Sequence, residues 1–431
     1  GVVASVASHV YNSIIVDIRD KEYFEKAGYK MKYDATRKTT VDAWREFRNK
    51  CSKRALVIMP VQTGELREFA IKNNLFVLNL NKELGDAGAG QNISLLEEVL
   101  AWLEPNAPVY GWEQGVSEDQ FVARVSKSGH PMIPCDWSYN HSLLSLLYEK
   151  GREQVLPRIF DPRSIDFKKK KNFVSFFLSD GDNIQWMMQD FASRYYDVPE
   201  AEDVKMTFGL PVATLAMMAP VQFNNLMGLQ KQNCSLMEML GGGYYYVDTY
   251  SQDHNRKTNL RVAAKRLAVS MRQYQIKLLG IMAMDVKSEA AKEAYQVYVD
   301  ANDQLEGIVV LQYSPYAGGE GEVFWVTNKA GYDIPVITVK YSLWDRIHER
   351  EGSPDFIASK LKEEAQEESF SVVCVHAWSR FEGDTYGASA AKRCAERLDD
   401  RFEAINMQEL VWRLRMSRRP EQTLDYLNKI Y

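Results

Sequence analysis

The sequence predicts an α/β protein with two domains. We expect a Rossmann-like parallel α/β domain over residues 1–160 and a β/α, TIM-like barrel of seven or eight strands over residues 161–431. The chain has 431 residues, more than one hydrophobic core usually serves. Short apolar runs alternate with amphipathic segments along the chain, the pattern of a parallel sheet covered by helices. The alternation breaks at 151–170, where prolines and four successive lysines indicate a boundary.

The composition narrows the classes of partner. Hydrophobic residues make up 45% of the chain, which suffices for large cores. The net charge of -5 argues against a nucleic-acid partner, because neutralising phosphates requires a basic face. No apolar run reaches the roughly 18 residues that a membrane span needs. The chain has 23 Tyr, 18 Phe and 9 Trp, and aromatic rings stack well on the apolar faces of sugars. These counts suit a neutral polar substrate such as a sugar, although large cores also use aromatic residues.

The first domain is predicted from four buried strands and the helices between them. The strands are expected at 55–59, 75–78, 108–111 and 132–134. Helices are expected at 63–72, 94–103 and 117–126. Two of these helices begin with the pattern of a capping box, at Ser94 and at Ser117. The glycine-rich segment 85–90 lacks the residues of a phosphate-binding loop and is interpreted as a turn.

Eight further apolar runs predict the strands of the second domain. They are expected at 173–178, 205–210, 235–240, 277–283, 307–312, 335–340, 371–376 and 402–406. Eight strands separated by helical segments match the count of a closed β/α barrel, although one misassigned strand would leave seven. The helix that follows Ser353 and Pro354 should begin there, with Ser353 as its cap and Pro354 at its first position.

Polar and aromatic residues follow these strands at the ends where a barrel places its reacting groups. Asp180, Asp182 and Asn183 follow the first strand, and Asp285 follows the fourth. The other candidates lie after the third, fifth, sixth and seventh strands: Tyr244, Tyr246, Asp248, Tyr313, Glu322, Trp344, His376 and Trp378. Such a concentration predicts a single polar mouth.

The run Gly241-Gly242-Gly243-Tyr244-Tyr245-Tyr246-Val247 resembles the motif that names the GxGYxYP family of putative glycoside hydrolases. Gly241, Gly243, Tyr244 and Tyr246 match the motif, and Val247 stands where the family has proline. The order of the two domains is similar to that of the family as well. The resemblance implies a secreted or periplasmic bacterial protein that processes sugars, with an export signal removed ahead of Gly1.

Glycoside hydrolysis needs two carboxyl groups, one to protonate the leaving oxygen and one to attack or to activate water. We expect Asp285 to act with Asp180 or Asp182, and Asp248 and Glu322 are the reserve candidates. The remaining candidates are expected to bind substrate. In the motif, glycines permit positive φ and close approach to a ligand, with Tyr244 and Tyr246 beside it. A tight turn with buried tyrosines is the alternative.

Two other functions remain open. Asp180, Asp182 and His376 could hold a divalent cation, as in a metal-dependent polysaccharide deacetylase. We nevertheless expect no cofactor, because a single histidine is weak support for a metal. A barrel that binds carbohydrate without catalysis is the other alternative. The widely spaced cysteines predict neither a zinc site nor a disulfide framework.

Overall fold

The structure is a computed structural model that describes residues 1–60, 64–82, 92–148, 154–179, 183–313 and 316–430. The chain forms two compact units. Unit 1 comprises Gly1–Leu147, Gly243–Tyr245 and Tyr250–Asn259. Unit 2 comprises Tyr148–Gly242, Tyr246–Thr249 and Leu260–Tyr431. The first change of unit therefore comes at residue 147, ahead of the predicted boundary at 160, and the motif segment contributes residues to both units.

Unit 1 is built on a parallel sheet, the small sheet. Its strands are β1 (Ser52–Ile58), β2 (Leu75–Leu78), β3 (Val109–Gly111) and β4 (Met132–Pro134). They lie in the order β2-β1-β3-β4, and every pair is parallel. The four predicted strands are confirmed, and all residues of their apolar runs are buried except Pro108 and Tyr110, which are half-buried. A parallel α/β unit is thus present, while the more specific Rossmann-like class stays a prediction.

Seven helices accompany the small sheet in the part of the chain that the structure describes. They are α1 (Val2–Tyr11), α2 (Lys21–Lys26), α3 (Thr40–Phe47), α4 (Arg67–Asn73), α5 (Ile93–Trp102), α6 (Glu118–Lys127) and α7 (His141–Leu144). The two predicted capping boxes are wrong. α5 begins after Asn92, and the Ser117 side chain makes no capping hydrogen bond at the start of α6. A capping box does begin α3, where Thr39 and Asp42 bond each other's backbone N–H groups.

Gly111 ends β3 in a conformation that only glycine adopts readily. Its φ is +117°, and a Cβ at this position would lie 2.1 Å from the carbonyl oxygen of Ile58 in β1. The absent side chain therefore permits the close approach of two neighbouring strands at their carboxyl ends.

Unit 2 contains ten strands in one sheet, the large sheet. They are β5 (Asn172–Leu178), β6 (Thr207–Leu210), β7 (Ser235–Met239), β8 (Leu278–Ala283), β9 (Gly307–Gln312), β10 (Val323–Thr327), β11 (Asp333–Thr338), β12 (Tyr341–Leu343), β13 (Ser369–Val375) and β14 (Phe402–Ala404). The order is β10-β11-β9-β8-β7-β6-β5-β13-β12, with β14 also paired to β5. Only the pair β10 and β11 is antiparallel. All eight predicted strands are present, and β10 and β12 are additional.

The large sheet differs from the predicted closed barrel in which strands are paired by hydrogen bonds. Its described path runs from β10 to β12, and no hydrogen-bonded pairing joins these two outer strands within the described ranges. β11 and β12 are two residues apart in the chain, yet β11 pairs with β9 and β12 with β13. The structure shows a largely parallel α/β sheet, and closure into a TIM-like barrel stays a prediction.

Among the described residues, ten helices follow or separate these strands. They are α8 (Ile184–Met187), α9 (Pro199–Asp203), α10 (Val212–Met218), α11 (Pro220–Leu229), α12 (Arg256–Gln273), α13 (Glu289–Ala301), α14 (Pro354–Glu363), α15 (Gly387–Ala395), α16 (Met407–Arg418) and α17 (Pro420–Ile430). The predicted start of α14 is confirmed, because Ser353 Oγ accepts the N–H of Phe356 and Pro354 is the first helical residue. No helix in the described part of the chain is long and apolar enough to cross a membrane.

A buried carboxylate connects α16 to the strands. Glu306 is fully buried before β9 and accepts hydrogen bonds from the Trp412 indole N–H at 2.9 Å and the Gln408 amide at 2.8 Å. Lys277 lies 3.2 Å from the same carboxylate. The ionic group is thus compensated on several sides, as a buried charge must be.

Candidate functional site

The carboxyl ends of the parallel strands of the large sheet define one edge, the carboxyl edge. Parallel pairing carries the chain to this edge at the end of every strand except the antiparallel β10. Backbone hydrogen bonds continue past the strands and fix the residues that follow. Tyr313 N–H donates to Ala283, and His376 N–H donates to Leu343. Ligands of such sheets bind outside the carboxyl ends of the strands, so this edge is the candidate site.

Five rings that follow four different strands contact one another here and form the edge aromatic cluster: Tyr246, Tyr313, Tyr316, Trp344 and His376. The centroids of Tyr246 and Tyr313 are 5.6 Å apart, and those of Tyr313 and Tyr316 are 5.9 Å apart. Tyr316 contacts Trp344 at 5.4 Å and His376 at 5.2 Å, both edge to face. Trp344 and His376 stack at 5.0 Å with 12° between their planes. Four residues chosen from the sequence are thus brought together.

Two rings of the cluster are buried and three are half-buried. Tyr246 and Tyr316 are buried, whereas Tyr313, Trp344 and His376 are half-buried. Sequence reasoning did not select Tyr316, although it stands in the same strand-end run as Tyr313. Its φ of +63°, unusual for a tyrosine, is visible only in the structure. The half-buried rings are those that a ligand could contact.

The predicted catalytic residues Asp180 and Asp182 lie outside the described residues. The adjoining described residue, Ser179, is fully buried, and its N–H donates to the carbonyl of Val375. Val375 immediately precedes His376 of the edge aromatic cluster. The chain therefore enters the segment 180–182 from a position beside the end of β13.

Asp248 and Asp285 meet at the end of β8 in different roles. Asp248 is 8% exposed, and its two carboxylate oxygens accept the backbone N–H groups of Met284 at 3.0 Å and Asp285 at 2.9 Å. Asp285 is exposed, and its carboxylate accepts the N–H of Lys287. Asp248 thus holds the turn that presents Asp285, which leaves Asp285 the more accessible carboxylate.

Glu322 forms an exposed ion pair. Its carboxylate lies 3.1 Å from the Lys287 ammonium, which also contacts Glu320 at 3.3 Å. The two carboxylates raise the pKa of Lys287, chiefly through hydrogen bonding to Glu322. Glu322 is thus held in an ion pair at the surface.

The other two candidates near this edge are Trp378 and Asn183. Trp378 is 43% exposed, and its ring lies 4.7 Å from that of the buried Trp186. Asn183 is the N-cap of α8 and lies two residues before Gln185, whose amide donates to its side chain at 3.3 Å. Trp378 therefore offers an accessible ring on an aromatic support.

The tyrosines of the glycine-rich motif belong to different units. Tyr244 lies in unit 1, where its backbone pairs with Met132 and its hydroxyl donates to Glu118 at 2.9 Å. Its ring stacks on that of Trp112 with centroids 6.3 Å apart. Tyr246 lies in unit 2, where its backbone pairs with Met282. The prediction that both rings flank one ligand is untested by this arrangement.

Sequence reasoning missed a buried acid beside this motif. Glu238 in β7 has no exposed surface, and its Oε2 accepts the N–H of Ala213 at 2.9 Å. Burial raises the pKa of Glu238 to about 8, opposed in part by nearby backbone N–H groups. The only signal in the sequence is a single acid within an otherwise apolar strand, Ser-Leu-Met-Glu-Met.

No group of three or more His, Cys, Asp or Glu side chains among the described residues is arranged to hold a metal ion. The proposed metal set includes Asp180 and Asp182, so that alternative falls outside the described residues.

Two family models match the chain. The GxGYxYP putative glycoside hydrolase C-terminal domain matches residues 170–415, and the GxGYxYP third domain matches residues 53–146. No curated protein matches. A solved structure described as a putative hydrolase from Bacteroides thetaiotaomicron VPI-5482 superposes with a TM-score of 0.79 at 18% identity, covering 97% of this chain and 77% of that chain. At this identity the likeness shows a shared fold.

Proposed function

Because this chain belongs to the GxGYxYP family of putative glycoside hydrolases, we propose that it hydrolyses glycosidic bonds of a poly- or oligosaccharide at the carboxyl edge. The observation that carries the proposal is the edge aromatic cluster. Its rings follow four different strands and pack against one another where ligands of parallel sheets bind.

The half-buried rings suit a neutral, hydroxyl-rich ligand. Aromatic faces pack on the apolar faces of sugars, and the polar tips of tyrosine and histidine can hydrogen-bond hydroxyl groups. Trp344 and His376 are stacked nearly parallel, so each limits the rotation of the other. A sugar would then meet a platform that is already ordered, which lowers the entropic cost of binding.

Asp285 acts with Asp180 or Asp182 as the reacting pair in this proposal. Asp285 is exposed at the end of β8, where Asp248 holds its backbone. Asp180 is covalently joined to Ser179, which is bonded beside the end of β13. One carboxyl group protonates the leaving oxygen, and the other attacks the anomeric carbon or activates water.

The test measures hydrolysis by the full chain on a panel of aryl glycosides and oligosaccharides. New reducing ends are expected from at least one substrate. Asp180→Asn, Asp182→Asn and Asp285→Asn should be tested singly, and substitution of a reacting carboxylate should lower kcat by roughly 100-fold or more. Full activity of all three variants would contradict the assignment of the reacting pair.

Binding is tested separately from turnover. Trp344→Ala should raise KM roughly tenfold, which corresponds to about 1.4 kcal/mol of lost contact with the sugar. Tyr23→Ala is the matched control, because Tyr23 is an aromatic residue of unit 1 that is 72% exposed. Equal effects of the two variants would contradict a platform at the carboxyl edge.

The same assays distinguish the alternative functions. Release of acetate from acetylated oligosaccharides that stops when a chelator is added would identify a metal-dependent deacetylase. Saturable glycan binding without any product would identify a carbohydrate-binding protein. Either result would overturn the proposed glycosidase.

A further inference from the structure

We propose that Glu238 is a positioning residue for the carboxyl edge: its carboxyl group holds Gly241 against the start of α10 and thereby fixes the segment that leads to Tyr246. This inference rests on the proposed function, since it concerns the same edge. It also assigns a physical role to the first glycine of the motif, Gly241.

The carboxyl group of Glu238 occupies the space that a side chain at Gly241 would need. A Cβ built on Gly241 would lie 1.8 Å from Oε1 and 2.4 Å from Cδ of Glu238. Carbon atoms do not approach other heavy atoms so closely, so no larger residue fits at 241 while Glu238 keeps its position. The φ of Gly241 is not positive, unlike those of Gly242 and Gly243, so close approach alone accounts for this glycine.

Residues at the start of α10 form hydrogen bonds with Glu238 and with Gly242, the neighbour of Gly241. Ala213 N–H donates to Glu238 Oε2 at 2.9 Å, and Gly242 N–H donates to Thr214 Oγ at 2.9 Å. Thr214 is 3% exposed. Two consecutive residues of the helix therefore hold β7 and the motif, one through a buried bond to Glu238 and one through a part-buried bond to Gly242.

This set of bonds precedes the edge aromatic cluster closely in the chain. Tyr246 follows Gly241 by five residues, pairs with Met282 in β8 and contacts the ring of Tyr313. A shift of Gly241 would therefore disturb the segment that supplies a buried ring to the cluster. Small misplacements of this kind can cost up to roughly 100-fold in rate.

The surroundings of Glu238 favour its neutral form. The sequences of β6, β8, α10 and α11 contain no ionisable side chain. Tyr274, which follows α12, is an ionisable group that interacts with Glu238: burial raises the pKa of Tyr274, and the charge of Glu238 raises it further. Since burial raises the pKa of Glu238 to about 8, the stability due to its neutral form is present at low pH and is lost as the pH rises through about 8.

The experiment compares Glu238→Gln and Glu238→Ala with the wild type across this pH range. Glu238→Gln keeps the size and an acceptor for Ala213, so near neutral pH its kcat should stay within about twofold of wild type. The activity of wild type should decline as the pH passes about 8, and the activity of Glu238→Gln should not show this decline. Glu238→Ala should lose roughly tenfold or more in kcat at every pH.

Glu289→Gln is the matched control, because this glutamate is exposed on α13, and its pH profile should equal that of wild type. Gly241→Ala should be as impaired as Glu238→Ala. Adding Glu238→Ala to Gly241→Ala should restore folding relative to Gly241→Ala alone, because the space at 241 is then vacant. Wild-type behaviour of Gly241→Ala, or identical pH profiles for wild type and Glu238→Gln, would overturn the proposal.

Amide hydrogen exchange separates this proposal from the proposed function. Exchange at Ala213 and Gly242 should accelerate more in wild type than in Glu238→Gln as the pH rises through about 8, after the intrinsic pH dependence is divided out. This readout needs no substrate. If wild type exchanges faster than Glu238→Gln but no glycan is hydrolysed, only the proposed glycosidase activity is refuted. If the two proteins exchange equally, the proposed role of Glu238 is refuted.

Discussion

Replacing Asp248 by alanine should free the turn at the end of β8. Asp248 accepts the N–H groups of Met284 at 3.0 Å and Asp285 at 2.9 Å, one on each carboxylate oxygen. A hydrogen bond to a charged group contributes about 1.5–3 kcal/mol, and solvent reaches the exposed Met284 and Asp285 once the bonds are lost. We therefore expect about 2 kcal/mol of lost local stability at each amide.

Amide hydrogen exchange across residues 282–286 measures this loss directly. A change of about 2 kcal/mol corresponds to roughly 30-fold faster exchange. Asp285→Asn is the control, because the Asp285 side chain accepts only a local N–H, that of Lys287, and exchange at Met284 should not change. If Asp248→Ala left the exchange of Met284 and Asp285 as slow as in wild type, the structural role of this carboxylate would be refuted.

Two further predictions concern stability. Glu306→Ala should lower the unfolding midpoint strongly, by an equivalent of about 3–5 kcal/mol, because Lys277 and the other donors lose a buried charged partner; an unchanged midpoint in a thermal unfolding assay would contradict this. Gly111→Ala should destabilise unit 1 by roughly 1–3 kcal/mol or more, because its Cβ would clash with Ile58. Gly228→Ala in α11 is the control, since open space surrounds it, and it should be neutral or stabilising.

The strands were predictable because buried parallel strands form continuous apolar runs. The run at 172–178 is buried along its whole length as β5, whereas β13 is half-buried over its first three residues and β14 is half-buried throughout. β10 was not predicted. Its residues are mostly half-buried, and its sequence, Val-Phe-Trp-Val-Thr, follows residues that the sequence pattern assigns to the end of the preceding strand. β12 escaped because three residues carry too little periodicity.

The proximity of several candidate residues was predictable, whereas their surroundings were not. Residues such as Trp344 and His376 were selected because they follow strands, and parallel pairing brings such positions to one edge. The role of an acid depends on its burial and partners, which no local pattern encodes. Asp248 therefore proved to hold a turn, and Glu238 drew no notice although it is fully buried.

The sequence by itself determined the α/β class, most of the strands and the edge at which several candidate residues gather, because these follow from local hydrophobic pattern and chain direction. Only the tertiary structure decided which strands neighbour one another, which rings touch and which carboxylates are buried. Those properties arise from contacts between residues far apart in the chain. The bond from the Ala213 N–H to Glu238 is one such case, since it joins a helix to a strand that comes 25 residues later in the chain.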